Sequence, residues 1–120
     1  MFEPTSETSR RFAAIGQDPR PVSVIVNGRA KPNRIEEVKL ALMKVADPTR
    51  ANPNCLDFHV YQDRYDPQEF ILCERWISEQ ALLDHGESDY MEEYNAQKGE
   101  MFESLAGHFC QEIQRLDVAL

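Results

Sequence analysis

Apolar and polar positions alternate along residues 22–30. Val22, Val24 and Val26 fall on one side of an extended chain, and Ser23, Ile25, Asn27 and Arg29 on the other, which predicts a strand. Pro32 closes it. Asn33, with Glu36 three residues on, has the capping-box pattern of a helix start. The period then lengthens: Ile35, Val38, Leu42 and Val45 make one apolar stripe, with Glu36, Glu37, Lys39 and Lys44 on the solvent side. Asp47-Pro48 predicts the end of this helix, because proline disfavours helical backbone in the residue before it. Alternation returns over residues 55–65, with Leu56, Phe58 and Val60 on one face and Asp57, His59 and Tyr61 on the other. Asp66-Pro67 is a tight turn, so the apolar run at residues 70–77 is predicted to return antiparallel as a hairpin.

Beyond that run, Ser78 is placed to cap a short helix, with Glu79 and Gln80 in its first turn and Gly86 just past its end. Asp89, with Glu92 as capping-box partner, opens a second long helix predicted to reach about Leu105. Met91, Tyr94, Met101 and Leu105 fall near one face of it, while Lys98 interrupts the stripe and Gly99 weakens it. A last strand is expected over residues 108–116, where Phe109 and Ile113 share a face. The order strand, helix, strand, strand, helix, strand is the split-βαβ, ferredoxin-like arrangement: an α+β fold with one four-stranded antiparallel sheet and its helices on one side.

Helices cover only one face of such a sheet. Yet the third strand is apolar on both, with Phe70, Leu72 and Trp76 against Ile71, Cys73 and Ile77. The second face is expected to be covered by a second copy, giving a two-fold homodimer. The alternative is a monomer that uses its N-terminal leader, residues 1–21, as a lid; that leader is expected either to be partly disordered or to dock through Phe12 and Ile15 on the body of the protein or on the neighbouring subunit. The folded domain is expected to span residues 22–120.

Composition narrows the setting. The chain has 120 residues, enough for one domain, with 42% hydrophobic and 28% charged residues. A formal net charge of −8 argues against a nucleic-acid or anionic-membrane surface. No apolar run approaches the roughly 20 residues that span a bilayer. The N-terminus has no apolar signal core, so a cytoplasmic protein is expected. Cys55, Cys73 and Cys110 are widely spaced and form no metal-type pair, and His59 and His108 lie on different strands without ligand spacing, so no metal site is expected.

The ordered set of segments resembles the antibiotic biosynthesis monooxygenase superfamily of small dimeric α+β-barrel proteins, over residues 22–116. The resemblance lies in Arg29-Ala-Lys-Pro-Asn-Arg-Ile-Glu-Glu-Val at the first strand-to-helix junction, and in Thr49-Arg-Ala-Asn-Pro-Asn-Cys-Leu-Asp-Phe before the second strand. The Glu-x-Trp strand ending at Trp76 and Ala81-Leu-Leu-Asp-His85 complete it. Asn33 and Asn54 stand where the family usually has glycine. Tyr90 stands where it usually has a second histidine. Family members include oxygenases that oxidise hydroquinone-like or polyketide aromatics with O2 and no bound cofactor. Others degrade haem or isomerise signalling sugars. His85 and Asn95 fall where the haem-degrading branch has its tryptophan and histidine, so haem degradation is not expected.

These implications single out His85, Trp76 and Glu74 as catalytic candidates, and Asn27, Tyr61, Tyr90 and Tyr94 as candidates for binding a small aromatic substrate. His85 could accept a proton from a phenolic substrate near neutral pH, or act as the cation closing its helix. Glu74 either lines a polar cavity or meets a structural partner, and Trp76 is either a substrate platform or core. The expected site is a cavity between helices and sheet, without cofactor. A non-catalytic, ligand-binding or stress-associated dimer is the alternative from a different class.

Overall fold

The structure is a computed structural model, and it describes residues 16–113. Strand β1 (Val22–Ala30) leads into helix α1 (Ile35–Ala51). Strands β2 (Cys55–Gln62) and β3 (Glu69–Trp76) follow as the hairpin, and then the short helix α2 (Glu79–Gly86). A 3-10 turn (Asp89–Met91) runs into helix α3 (Glu92–Met101), and strand β4 (Phe102–Cys110) ends the fold. The strands form one antiparallel sheet in the order β2-β3-β1-β4, the ferredoxin-like α+β arrangement that the pattern predicts. The expected docking of Phe12 and Ile15 lies outside the described residues, as does the far end of the expected last strand.

The core lies between helices and sheet. The α1 stripe is buried at Val38, Leu42 and Val45, and it meets Phe58, Phe70 and Leu72 of the sheet and Met101 and Phe102 at the end of α3. Each such side chain contributes on the order of 1.5–3 kcal/mol by leaving water. A smaller cluster, Val22, Val24, Trp76 and Ala81, fills the end of the sheet beneath α2. Ser78 caps α2 as expected, its hydroxyl accepting from the Ala81 N–H at 3.2 Å.

Four local expectations are corrected. Helix α1 is entered from Arg34, without the Asn33 side-chain cap. It also runs through Pro48 to Ala51. The carbonyl that Pro48 cannot serve is that of Lys44, on the solvent side, while buried Thr49 donates its hydroxyl to the Val45 carbonyl at 2.6 Å. The β2 register shifts between Cys55 and Asp57, so Leu56 bulges outward and Cys55 packs against the core instead. Finally, α3 ends at Met101 and β4 begins at once, six residues before the expected start. Strand pairing overrides the helical spacing of Met101 and Leu105. Gly28 opposes Leu105 in the ladder, and a Cβ on Gly28 would lie 2.7 Å from the Phe102 ring, so only glycine lets that ring close over the sheet.

The second sheet face has no covering element among the described residues. Ile25, Ile71 and Cys73 lie half-buried at its centre. Ion pairs surround them: Arg75 to Asp57 at 2.8 Å, and Arg29 to Asp66 at 2.8 Å and Glu69 at 3.2 Å.

Candidate functional site

Strand alternation in β3 points Phe70, Leu72, Glu74 and Trp76 toward the helices. The strand's last turn-facing residue, Trp76, is fully buried, and its Nε1–H donates to Glu74 Oε1 at 2.9 Å. The chain then reverses through the Ser78 cap, and α2 brings His85 back over the indole. The two ring centroids are 4.4 Å apart, with the planes inclined by 35°. Five residues on, the 3-10 turn places the Tyr90 hydroxyl 2.6 Å from His85 Nδ1. One turn further along α3, Tyr94 is buried beside Glu74, whose charge adds to burial in pushing the phenol up to about 12.

Five expected site residues are therefore brought together: Glu74, Trp76, His85, Tyr90 and Tyr94. Asn27 and Tyr61 are not among them. Odd positions of β1 point away from the helices, and Tyr61 pairs across from Ile71, so both stand on the uncovered sheet face. His59 and His108 are also on that face, on opposite edge strands with two strands between them.

The cluster is packed rather than hollow. Trp76, His85 and Glu74 are 0%, 5% and 7% exposed, so the cavity expected around them is filled by their own side chains. Open space begins at the tyrosines. A cleft of about 230 Å³ between α1 and α3 is lined by Leu40, Ala41 and Val45 on one side and Tyr90 and Tyr94 on the other. Lys44 and Glu93 also line it and pair at 2.7 Å.

Burial sets the protonation states. It lowers the His85 pKa from 6.5 to about 4, so the ring is neutral at pH 7 and a weaker base than an ordinary histidine. The helix-terminal cation role is thereby removed. Burial also raises the Glu74 pKa, against the lowering effect of the Trp76 hydrogen bond.

One member of the network was missed by the sequence reading. Asn52, at the C-cap of α1, donates its Nδ2–H to Tyr90 Oη at 3.2 Å. The signal was present: a short polar residue before Pro53 at a helix end, immediately ahead of the strand whose Cys55 pairs with Trp76.

Residues 21–97 match the family model for antibiotic biosynthesis monooxygenases. Over 81 residues the chain is 33% identical to Rv0793 of Mycobacterium tuberculosis, a candidate monooxygenase by name, covering 68% of this chain and 79% of that one. The solved structure of Rv0793 superposes with a TM-score of 0.75 at 28% identity, covering 81% of this chain and 99% of the other. PA3566 from Pseudomonas aeruginosa shares the fold at a TM-score of 0.75 and 22% identity, over 79% of this chain and 96% of that one. The protein sll1783 of Synechocystis is 28% identical over 74 residues, or 62% of this chain, and the match spans half (50%) of that relative's length. Fold, family model and relatives agree: the chain belongs to the antibiotic biosynthesis monooxygenase family.

Proposed function

We propose that the protein is a cofactor-independent monooxygenase that acts as a homodimer on a small aromatic, hydroquinone-like compound with O2. The observation that carries this reading is the Trp76–His85–Tyr90 stack behind a cleft that has Leu40, Ala41 and Val45 on its far wall and charged side chains along its border. An apolar cavity of about 150 Å³ already holds a benzene ring, and the cleft here is about 230 Å³. A single ring entering past Tyr90 and Tyr94 displaces the Lys44–Glu93 pair, meets aromatic walls, and sets its oxygen against His85. Glu74 holds the indole in place.

The chemistry needs no outside reductant. A hydroquinone plus O2 gives a hydroxyquinone plus water: one oxygen atom enters the ring, the other leaves as water, and the substrate supplies all four electrons. The phenolic proton leaves through the cleft to solvent, and the electron-rich anion reacts with O2 where water is excluded.

Oxygen uptake over a panel of quinols and anthrones tests the reading. Uptake that saturates with one class, with stoichiometric quinone formed, supports it. A flat trace across the panel alongside measurable binding supports the second reading, a ligand-binding dimer without turnover. The tight closure around Trp76 and His85 is the observation that favours that alternative.

A further inference from the structure

The hydrogen-bond chain behind His85 has a direction. Asn52 is held on three sides. Its N–H donates to the Thr49 carbonyl at 3.1 Å, and its carbonyl accepts from the Cys55 N–H at 3.0 Å. Its side-chain Oδ1 accepts from the Asn54 N–H at 3.0 Å. That last bond decides which end of the amide is which, because a backbone N–H can only donate. Nδ2 therefore faces Tyr90, and the 3.2 Å contact has Asn52 donating to the Tyr90 oxygen.

With its oxygen already accepting, Tyr90 turns its own proton to the remaining near partner, His85 Nδ1, at 2.6 Å. Nδ1 is then the acceptor, and in a neutral imidazole the proton sits on Nε2. Among the described residues no group bonds Nε2, yet none of their fully buried side-chain nitrogens or oxygens lacks a partner. Among the described residues, Nε2 is the ring nitrogen left for a ligand's oxygen. The titratable groups around the ring are Tyr90 from the turn before α3, Tyr94 from α3 and Glu74 behind the indole on β3. The cation that lines the cleft, Lys44, is exposed and paired with Glu93 at 2.7 Å.

We propose that Asn52 is a positioning residue which, through Tyr90, holds His85 as a neutral Nε2–H hydrogen-bond donor, so that the site takes its aromatic ligand as the phenolate or enolate anion. His85 then stabilises the reactive anion instead of creating it. Preorganised donors aimed at a developing oxyanion in a dry site are commonly the largest single contribution to catalysis. This assignment rests on the reading that the cluster is the ligand site, and its two halves separate experimentally.

The tautomer is read by nitrogen NMR of protein labelled with 15N-histidine, the His85 signals being identified by their loss in His85→Gln. Wild type is expected to show a protonated Nε2 and an unprotonated Nδ1 from about pH 5 to pH 8, since the ring holds no second proton until about pH 4. Asn52→Ala and Tyr90→Phe are each expected to replace this with an averaged tautomer mixture. A protonated Nδ1 in wild type, or an unchanged spectrum in both variants, overturns the proposal. The anion is read with 4-nitrophenol, whose colour reports its ionisation. Its pKa is expected to fall by about one unit on binding, a roughly tenfold preference for the anion, and to recover in Asn52→Ala. Dye bound only as the neutral phenol overturns the proposal. Dye that does not bind while the tautomer stays fixed overturns the ligand class, leaving the positioning by Asn52 standing.

Discussion

Tyr90 Oη and His85 Nδ1 stand 2.6 Å apart across the turn that joins α2 to α3. The bond locks the end of one helix to the start of the next. The imidazole also stacks on Trp76, so its position depends on three elements at once. A ring held this way presents its free nitrogen at a defined point, which is what a reacting group requires.

His85→Ala is expected to lower turnover by about 10²-fold or more, the usual loss when a positioned donor is removed. Far-UV circular dichroism checks that the fold survives. Equal rates in wild type and variant would take His85 out of the chemistry.

Stability should depend on pH through the same ring. The unfolded chain takes up a proton at His85 as the pH falls below the ordinary value of 6.5, whereas the folded protein resists until about 4. Stability is therefore complete above that ordinary value and is lost across this window on acidification, by about 3 kcal/mol. Glu74 works in the opposite sense. Its raised pKa makes the folded state hold a proton that the unfolded chain releases above 4.5, so its contribution is lost as the pH rises. Urea midpoints at about pH 5 and about pH 7.5 compare wild type with His85→Gln. The acid-side loss should shrink in the variant, and an unchanged loss would contradict the burial argument.

The sequence pattern made the sheet legible because each strand alternates and the α1 stripe is clean. What it could not show were effects set by distant partners. Met101 and Leu105 are four apart and read as one helical face, but pairing of Leu105 with Gly28 draws that stretch into β4. Leu56 fits the alternation with Phe58 until the bulge after Cys55 turns it outward. In the site, Glu74, Trp76 and His85 were reachable by following one strand into one helix. Asn27 and Tyr61 stand on the other sheet face, a placement the sequence left open because alternation says which residues share a face and not which face the helices cover. Asn52 reaches the network only through a tertiary contact.

Two substitutions at Glu74 should diverge. Glu74→Gln keeps an acceptor for the Trp76 N–H and removes a charge whose burial is unfavourable, so stability at pH 7 should hold or rise. Glu74→Ala strands the buried indole N–H, at a cost of about 1–3 kcal/mol. Thermal melts of the two proteins decide it, and an Ala variant as stable as the Gln variant would show that the bond contributes nothing.

The uncovered sheet face carries a separate expectation. Half-buried Ile25, Ile71 and Cys73 ringed by ion pairs have the layout of an apolar interface core with a polar rim. Light scattering at micromolar concentration should give a mass of twice 13.9 kDa. Ile71→Asp should reduce it to one chain, and a wild-type monomer would reject the homodimer.

Trp76 is the sole tryptophan of the chain, and it is wholly shielded from water and in ring contact with His85. Every tryptophan photon the protein emits therefore originates inside the candidate site. Protonation of the neighbouring imidazole on acidification should dim that emission, and an aromatic ligand seated against the stack should quench it or shift its colour. The protein thus carries a built-in optical gauge of its own occupancy, usable before any substrate has been identified.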